Sequence, residues 1–335
     1  MKSFFTGRRM TRFMAAVGLL WVCSSGLEAQ QPLQNVRDVV ATVFLIDIDE
    51  IDSVNQRFIV NFFYELRWND PSQAHPGPDS INRDLDDIWY PQVQILNEQS
   101  LVRTFPQTAE IKPDGEVIYR QRVWGSLSQP LELKVFPYDS QTLEIILVGL
   151  HFGNKSINFI ASPDSALSDK LSIPDWQVLG WDFSATELPL GRNRSNLPGL
   201  VFSIDVERET AFFTLKVMIP LMLIVAMSML VFWLDPSVTA PRISVAVTAM
   251  LTLIAYRFAI GSMVPRLPFL TSLDWFVLAS SVLVFLCLVT VVYSTVLAGR
   301  GENSKALAVD RKARWIAPGL YLALVIETLF VRFGT

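Results

Sequence analysis

Histidine and cysteine are nearly missing from this chain, with two of each in 335 residues. His75 and His151 stand far apart, and neither has a second ligand at the spacing of a zinc or similar site. No nucleophile elbow and no phosphate-binding glycine loop occurs. Enzyme chemistry therefore has no starting point, and neither a metal nor a cofactor is expected. Cys23 lies in a short N-terminal apolar run and Cys287 in a long one, so removal of a leader would leave one thiol and no intrachain disulfide. Charge is also scarce, at 18% of residues against 51% hydrophobic, which fits a membrane protein with a sizeable soluble part. A basic surface is lacking in the front half, where residues 30–208 carry 14 Lys and Arg against 25 Asp and Glu. That balance excludes a nucleic-acid face. Beyond residue 208 the balance reverses, with 10 basic residues against 6 acidic.

What is present begins with a leader. Lys2, Arg8, Arg9 and Arg12 precede a short apolar core, Phe13 to Cys23, and a small polar exit ending at Ala29. The core is too short to span a bilayer, so residues 1–29 are expected to be a signal peptide. Residues 30–208 then read as short strands. The runs VVATVFLIDID, RFIVNFFYELRW, QVQIL, VRTF, AEIKP, EVIYRQRVWG, LELKVF, TLEIILVGL, SINFIA, WQVLGWDF and GLVFSIDVE are rich in β-branched and aromatic residues. Turn chemistry such as Pro113-Asp114-Gly115 and Pro198-Gly199 separates them. This cadence predicts an antiparallel β-sandwich. Asp84, Asp86 and Asp87 before Trp89 read as a solvated loop or helix end.

Residues 209–335 carry four apolar runs, at about 212–234, 243–264, 275–298 and 315–333, each near the length a bilayer requires. Trp233, Trp275, Trp315 and Tyr321 sit close to their ends, as interface anchors do. The connection before the fourth run holds Arg300, Lys305, Arg311, Lys312 and Arg314 against Glu302 and Asp310, which makes it cytoplasmic. Four spans then place the strand-rich domain outside, in agreement with the leader. The expected architecture is a β-sandwich external domain followed by a four-helix transmembrane bundle.

The second run, Pro241 to Met263, has a distinct stripe. Ser244, Thr248, Leu251, Ala255, Phe258 and Ser262 recur at steps of four and three, so they share one helical face. Its ends are polar, and Leu251 and Phe258 are bulky. Such a face suits a water-filled pore gated by dewetting, or equally a packed helix that uses small residues to approach its neighbours. One such helix cannot enclose a channel, so a pore needs a symmetric ring of copies. Arg257 points away from this stripe at 100° per residue. A charge at that depth either snorkels to the outer surface or takes a partner, and the candidates are Asp274, opening the third run, and an acid of the turn at 49–52.

At Phe136-Pro137-Tyr138-Asp139-Ser140-Gln141 the sequence resembles the pentameric ligand-gated ion channels, the Cys-loop receptor family. Trp68-x-Asp70, Trp89-Tyr90-Pro91, Arg208 ahead of Pro220, and Pro265-Arg266-Leu267-Pro268-Phe269 continue the likeness along nearly the whole mature chain. The last of these is similar to the bacterial members. Gln129 and Leu143 stand where animal members have the loop cysteines, which is also the bacterial pattern.

The resemblance implies a homopentamer in a bacterial inner membrane, with the large domain in the periplasm. A small molecule or a proton would act at the subunit interface, and small inorganic ions would pass along 241–263. It places ligand contacts at Phe63, Leu96, Asn97, Leu150, His151, Arg192 and Arg194, where most of the family's aromatic box is lost. Coupling is expected through Pro137, Tyr138, Asp139, Arg208, Arg266 and Pro268, with the turn at 49–56 and the loop at 136–139 pressing on the 265–269 segment. Ion sign stays open. The stretch before the second helix has no acid and resembles anion-selective members, while the acidic external domain favours cations, the expected choice. The alternative from another class is a non-conducting, membrane-anchored periplasmic binding or adaptor protein.

Overall fold

A computed structural model describes residues 36–150, 157–173, 175–189, 196–261 and 267–333, with side chains as far as residue 328. Twelve strands precede four long helices among these residues. The strands are β1 (Arg37–Asp52), β2 (Arg57–Asn69), β3 (Ile81–Asp84), β4 (Val93–Ile95), β5 (Glu98–Arg103), β6 (Thr108–Ile111), β7 (Glu116–Ser128), β8 (Ser140–Gly149), β9 (Ile157–Ala161), β10 (Ala166–Leu167), β11 (Trp176–Leu188) and β12 (Leu197–Arg208). One sheet runs β10-β1-β2-β7-β6-β3, with β9 also on β1 and β5 also on β7; the other runs β11-β12-β8-β4.

Strand alternation builds the core. In β2, Phe58, Val60, Phe62, Tyr64, Leu66 and Trp68 are buried at every second position, and in β12 Leu200, Phe202, Ile204 and Val206 do the same from the opposite sheet. Each such side chain contributes about 1.5–3 kcal/mol of burial. At the β1 end, Arg37 donates to Asp70 at 2.7 Å and lies 4.1 Å over the ring of Trp89, which meets Trp68 edge-on. Two of the motif segments, around Trp68-x-Asp70 and Trp89, are thus one clamp. Gly115 takes φ of +87° in the turn before β7, where a Cβ would come within 2.8 Å of the Asp70 carbonyl oxygen.

The strand expected over 131–136 does not form. Leu131 and Leu133 are buried in alternation, but buried Phe136 breaks that period, its N–H donating to the Leu133 carbonyl and the Tyr138 N–H to that of Val135. Gln141 holds the segment as a loop by bonding both the amide and the carbonyl of Glu132. The Phe136–Pro137 peptide is cis. Alternation alone does not distinguish such a folded loop from a strand. The acidic stretch at Asp84–Asp87 is a short 3-10 turn, Leu85–Asp87, with only Leu85 buried.

The helices are α1 (Ala211–Trp233), α2 (Thr239–Ile260), α3 (Ser272–Gly299) and α4 (Asn303–Phe333). Three of them, α1 to α3, are long and apolar enough to cross a membrane. The fourth helix, α4, includes the expected run at 315–333, but Lys305, Asp310, Arg311, Lys312 and Arg314, read from sequence as a connection, form its first turns. Helix α1 contains a π turn over Thr214–Met218. Helix α2 packs on α1 and α3, and α4 lies chiefly against α3.

Candidate functional site

The open face of α2 carries the stripe. Ser244, Thr248, Leu251, Ala255 and Phe258 are all exposed, Leu251 at 62% and Phe258 at 83%. Arg242, Ala246, Ala249, Leu253 and Ile260 are buried on the opposite side. Small alanines there let α2 approach its neighbours, so the packing face and the stripe are separate faces of one helix. Ser262 falls outside the described residues.

At the base of α2 the Arg242 side chain is fully buried. Its Nη2 lies 2.7 Å from Asp310 Oδ2 on α4 and donates to Ser294 Oγ on α3 at 3.1 Å. The Asp310 contact is a charge pair rather than an aligned hydrogen bond, and Arg242 Nε and Nη1 have no hydrogen-bond partner among the described residues. The positive charge nearest the inner end of α2 is therefore turned into the bundle, away from the stripe.

Between the two domains, Arg208 ends β12 and is buried. Its Nε donates to Asp139 Oδ1 at 2.8 Å, and its Nη2 to Asp139 Oδ2 at 3.0 Å and to Ser53 Oγ at 2.9 Å. This is the two-pronged geometry that makes arginine–carboxylate pairs strong. Gln141 Nε2 donates to the same carboxylate at 2.8 Å. The guanidinium lies 4.1 Å over Trp176 and 4.8 Å over Phe136. One arginine thus joins β12, the β1–β2 turn and the loop at 136–139. Asp52 shapes that turn. Burial pushes its carboxyl up, but hydrogen bonds from Asn55 and Arg57 outweigh this and hold it below its usual range.

The loop in turn touches the helices. The Lys134 and Phe136 carbonyls accept from the first amides of α3, at Ser272 and Leu273, at 3.0 and 3.1 Å. Phe136 packs edge-on to Phe213 at 4.8 Å, and the Tyr138 hydroxyl donates to Met218 Sδ at 3.4 Å, both on α1. Pro137 is buried beside them. The π turn of α1 leaves the Val217 carbonyl to accept from the Tyr256 hydroxyl of α2 at 2.7 Å. A continuous series of contacts thus runs from Arg208 to α2. Ser53, Trp176, Phe213, Met218 and Tyr256 are members of it that spacing does not reveal. Only the aromatic content of Phe136 and Tyr138 hints at them. Pro268 lies in an exposed bend, and Arg266 is outside the described residues.

The Arg257–Asp274 pair does not form. Asp274 Oδ2 accepts from the amide and hydroxyl of Thr271 in a capping box at the start of α3, and Arg257 is exposed. The nearer helix terminus claims the carboxylate.

In the external domain, Phe63 on β2 meets Phe105 edge-on at 5.9 Å. Along the same face Arg120 pairs with both Glu65 and Glu110 at 2.6 and 2.7 Å, lining a cavity of about 450 Å³ with Ser80, Asn82 and Phe105. The Arg120 bond holds the Glu110 carboxyl below its ordinary value. Leu96 is exposed after β4, its amide bonded to Ile146, while Leu150, after β8, bonds Gln92 at the other end of the β4–β8 pair. The two leucines are four strand positions apart, or roughly 13 Å. The Asn97 amide donates to the Glu144 carbonyl at 2.7 Å, fastening the β4–β5 turn to β8. His151, Arg192 and Arg194 lie outside the described residues.

A β-sandwich whose last strand feeds a helical bundle through a buried arginine–carboxylate pair, with one helix presenting an open stripe, has the build of a two-part membrane receptor. The model of the neurotransmitter-gated ion-channel ligand binding domain matches residues 28–210, and that of the neurotransmitter-gated ion-channel transmembrane region matches residues 217–323. The chain belongs to the neurotransmitter-gated ion-channel family, whose members are ligand-gated channels and not enzymes. Among its relatives is the glycine receptor subunit beta of rat, mouse and human, 26% identical over 268 residues, covering 75% of this chain and 53% of the relative. The chain thus spans about half the length of the curated relatives it matches. Membership makes it a membrane protein with an extracellular ligand-binding domain.

Proposed function

We propose that five copies of the chain form a ligand-gated channel in a bacterial inner membrane, with ions passing between five α2 helices and α4 acting as the fourth span. The observation that carries this reading is the open stripe of α2, exposed along its described length while Arg242, Ala246, Ala249, Leu253 and Ile260 pack on the opposite side. Ligand binding at the subunit interface, on the Phe63 face, shifts the sandwich. The Arg208 junction passes that shift to α1 and α3, and Tyr256 passes it to α2. This is a population shift between two states.

Cations are the proposed permeant species. The acidic external domain concentrates them, and the Arg242 charge is buried and paired with Asp310 rather than presented to the pore. Anion conduction is the second reading, because the 238–242 segment has no acid. Purified protein in planar bilayers under a salt gradient tests both: a reversal potential toward the cation Nernst value supports the proposal, and one toward the anion value replaces it. Absence of any current from a correctly inserted protein would favour the adaptor reading.

A further inference from the structure

Near the outer end of the bundle a groove of about 460 Å³ opens between α3 and α4, lined by Trp275, Phe276, Ala279, Leu324, Glu327 and Thr328. Its level is fixed from above. The first amide of α3, at Ser272, bonds the external domain at Lys134, so Trp275 and Ala279 lie about one and two turns beneath that surface. This is the depth of lipid headgroups and their linkages. Trp275 is exposed there, as expected of an interface anchor.

Glu327 does not fit an ordinary lipid-facing surface. Its carboxylate is exposed on the groove, and no described side chain pairs with it. Thr328, its neighbour, returns its hydroxyl to the Leu324 carbonyl at 2.8 Å and is occupied. An acid facing lipid calls for a cation. The groove also offers an indole beside the acid, and aromatic faces attract ammonium groups. Below it the exposed Val282, Phe285 and Leu286 of α3 and Leu320 of α4 continue as an apolar track toward the membrane interior. Helix α4 lies chiefly against α3, on the side away from the stripe of α2, so a ring closed around α2 leaves this groove on its outer rim.

We propose that the α3–α4 groove is a binding site for a zwitterionic lipid with a primary ammonium headgroup, of the phosphatidylethanolamine class. The ammonium donates to Glu327 beside Trp275, and the acyl chains follow the apolar track. A primary ammonium can donate hydrogen bonds to a carboxylate, whereas a quaternary one cannot, so the site distinguishes phosphatidylethanolamine from phosphatidylcholine.

The test uses the purified full-length protein, stripped of lipid and equilibrated with mixed micelles of phosphatidylethanolamine and phosphatidylcholine in equal parts. Retained lipid is counted by mass spectrometry. The wild-type protein should favour phosphatidylethanolamine, and Glu327→Gln should lower that preference on the order of tenfold. Ala279→Phe, which fills the groove and keeps the acid, should reduce retention of both lipids. Equal retention of the two lipids by the wild type would overturn the proposal, and so would a preference unchanged in Glu327→Gln. Lipid retention is read without current, so this result stands apart from the conduction experiment.

Discussion

Leu251 and Phe258 are the two large side chains on the open stripe, and the sequence singles out both from spacing alone. In the proposed pore, a dry constriction at Leu251 would be held closed by the cost of wetting it. Leu251→Thr lowers that cost, and a loss of about 1.4 kcal/mol summed over the ring is already tenfold, so single-channel recording should show spontaneous openings at least about tenfold more frequent. Unchanged open probability would remove Leu251 from the gate. Ser53 is the converse case, because nothing in its sequence surroundings marks it and only the fold brings it to Arg208. Its hydroxyl accepts one charge-assisted hydrogen bond there, worth about 1.5 kcal/mol. Ser53→Ala added to Leu251→Thr should alter the open probability without loss of assembly; strict independence of the two changes would argue that the junction is a static strut. A third residue reports on stability. Burial raises the Asp70 carboxyl, but hydrogen bonds from Ser72 and Arg37 outweigh it, so it stays below the ordinary aspartate range. A lowered carboxylate stabilises the fold fully above its unfolded pKa, and that contribution is lost as pH falls through the lower, folded value. Asp70→Asn should therefore unfold more readily than the wild type at neutral pH, with the gap closing below about pH 4 in denaturation curves.

At the scale of elements, periodicity locates nearly all the strands and helices because burial on one face imposes period two or three to four. It fails where a different constraint holds the chain. The 131–136 segment alternates like a strand yet folds as a loop under Gln141, and its carbonyls cap α3. The start of α4 is polar enough to read as a connection, yet it remains helical. Its Asp310 reaches across to the base of α2, and that reach is invisible in sequence because the residues are far apart in the chain. The buried Arg242–Asp310 pair is a strong constraint but an asymmetric one. Removing one partner strands a charge in the bundle and should cost about 3–5 kcal/mol. Asp310→Asn is therefore expected to lower the thermal midpoint of the detergent-solubilised protein clearly, while Arg242→Met with Asp310→Leu recovers most of the loss. A single variant as stable as the wild type would show that water or lipid already reaches the pair.

For the whole molecule, the decisive property is that one chain leaves its functional face unfinished. Helix α2 packs its alanine side against α1 and α3 and exposes Ser244, Thr248, Leu251, Ala255 and Phe258 to nothing within the chain. Hydroxyls at one end of that stripe gain little from lipid, and a ring of copies resolves this by turning the stripe onto a shared aqueous axis. The external domain has an unfinished face of its own, where Phe63 and the Arg120 cavity lie open on the β2–β7–β6 surface. A neighbouring subunit would complete both faces at once, which ties the ligand site and the pore to the same assembly. Closed rotational symmetry is the arrangement that repeats such a contact without leaving an exposed end. In the proposed assembly the number is five. Native mass spectrometry in mild detergent should therefore give five times the mass of the mature chain, and disruption of the ring should abolish current and ligand response together. A stable monomer or dimer that still carries current would separate the two and remove the shared axis from the account.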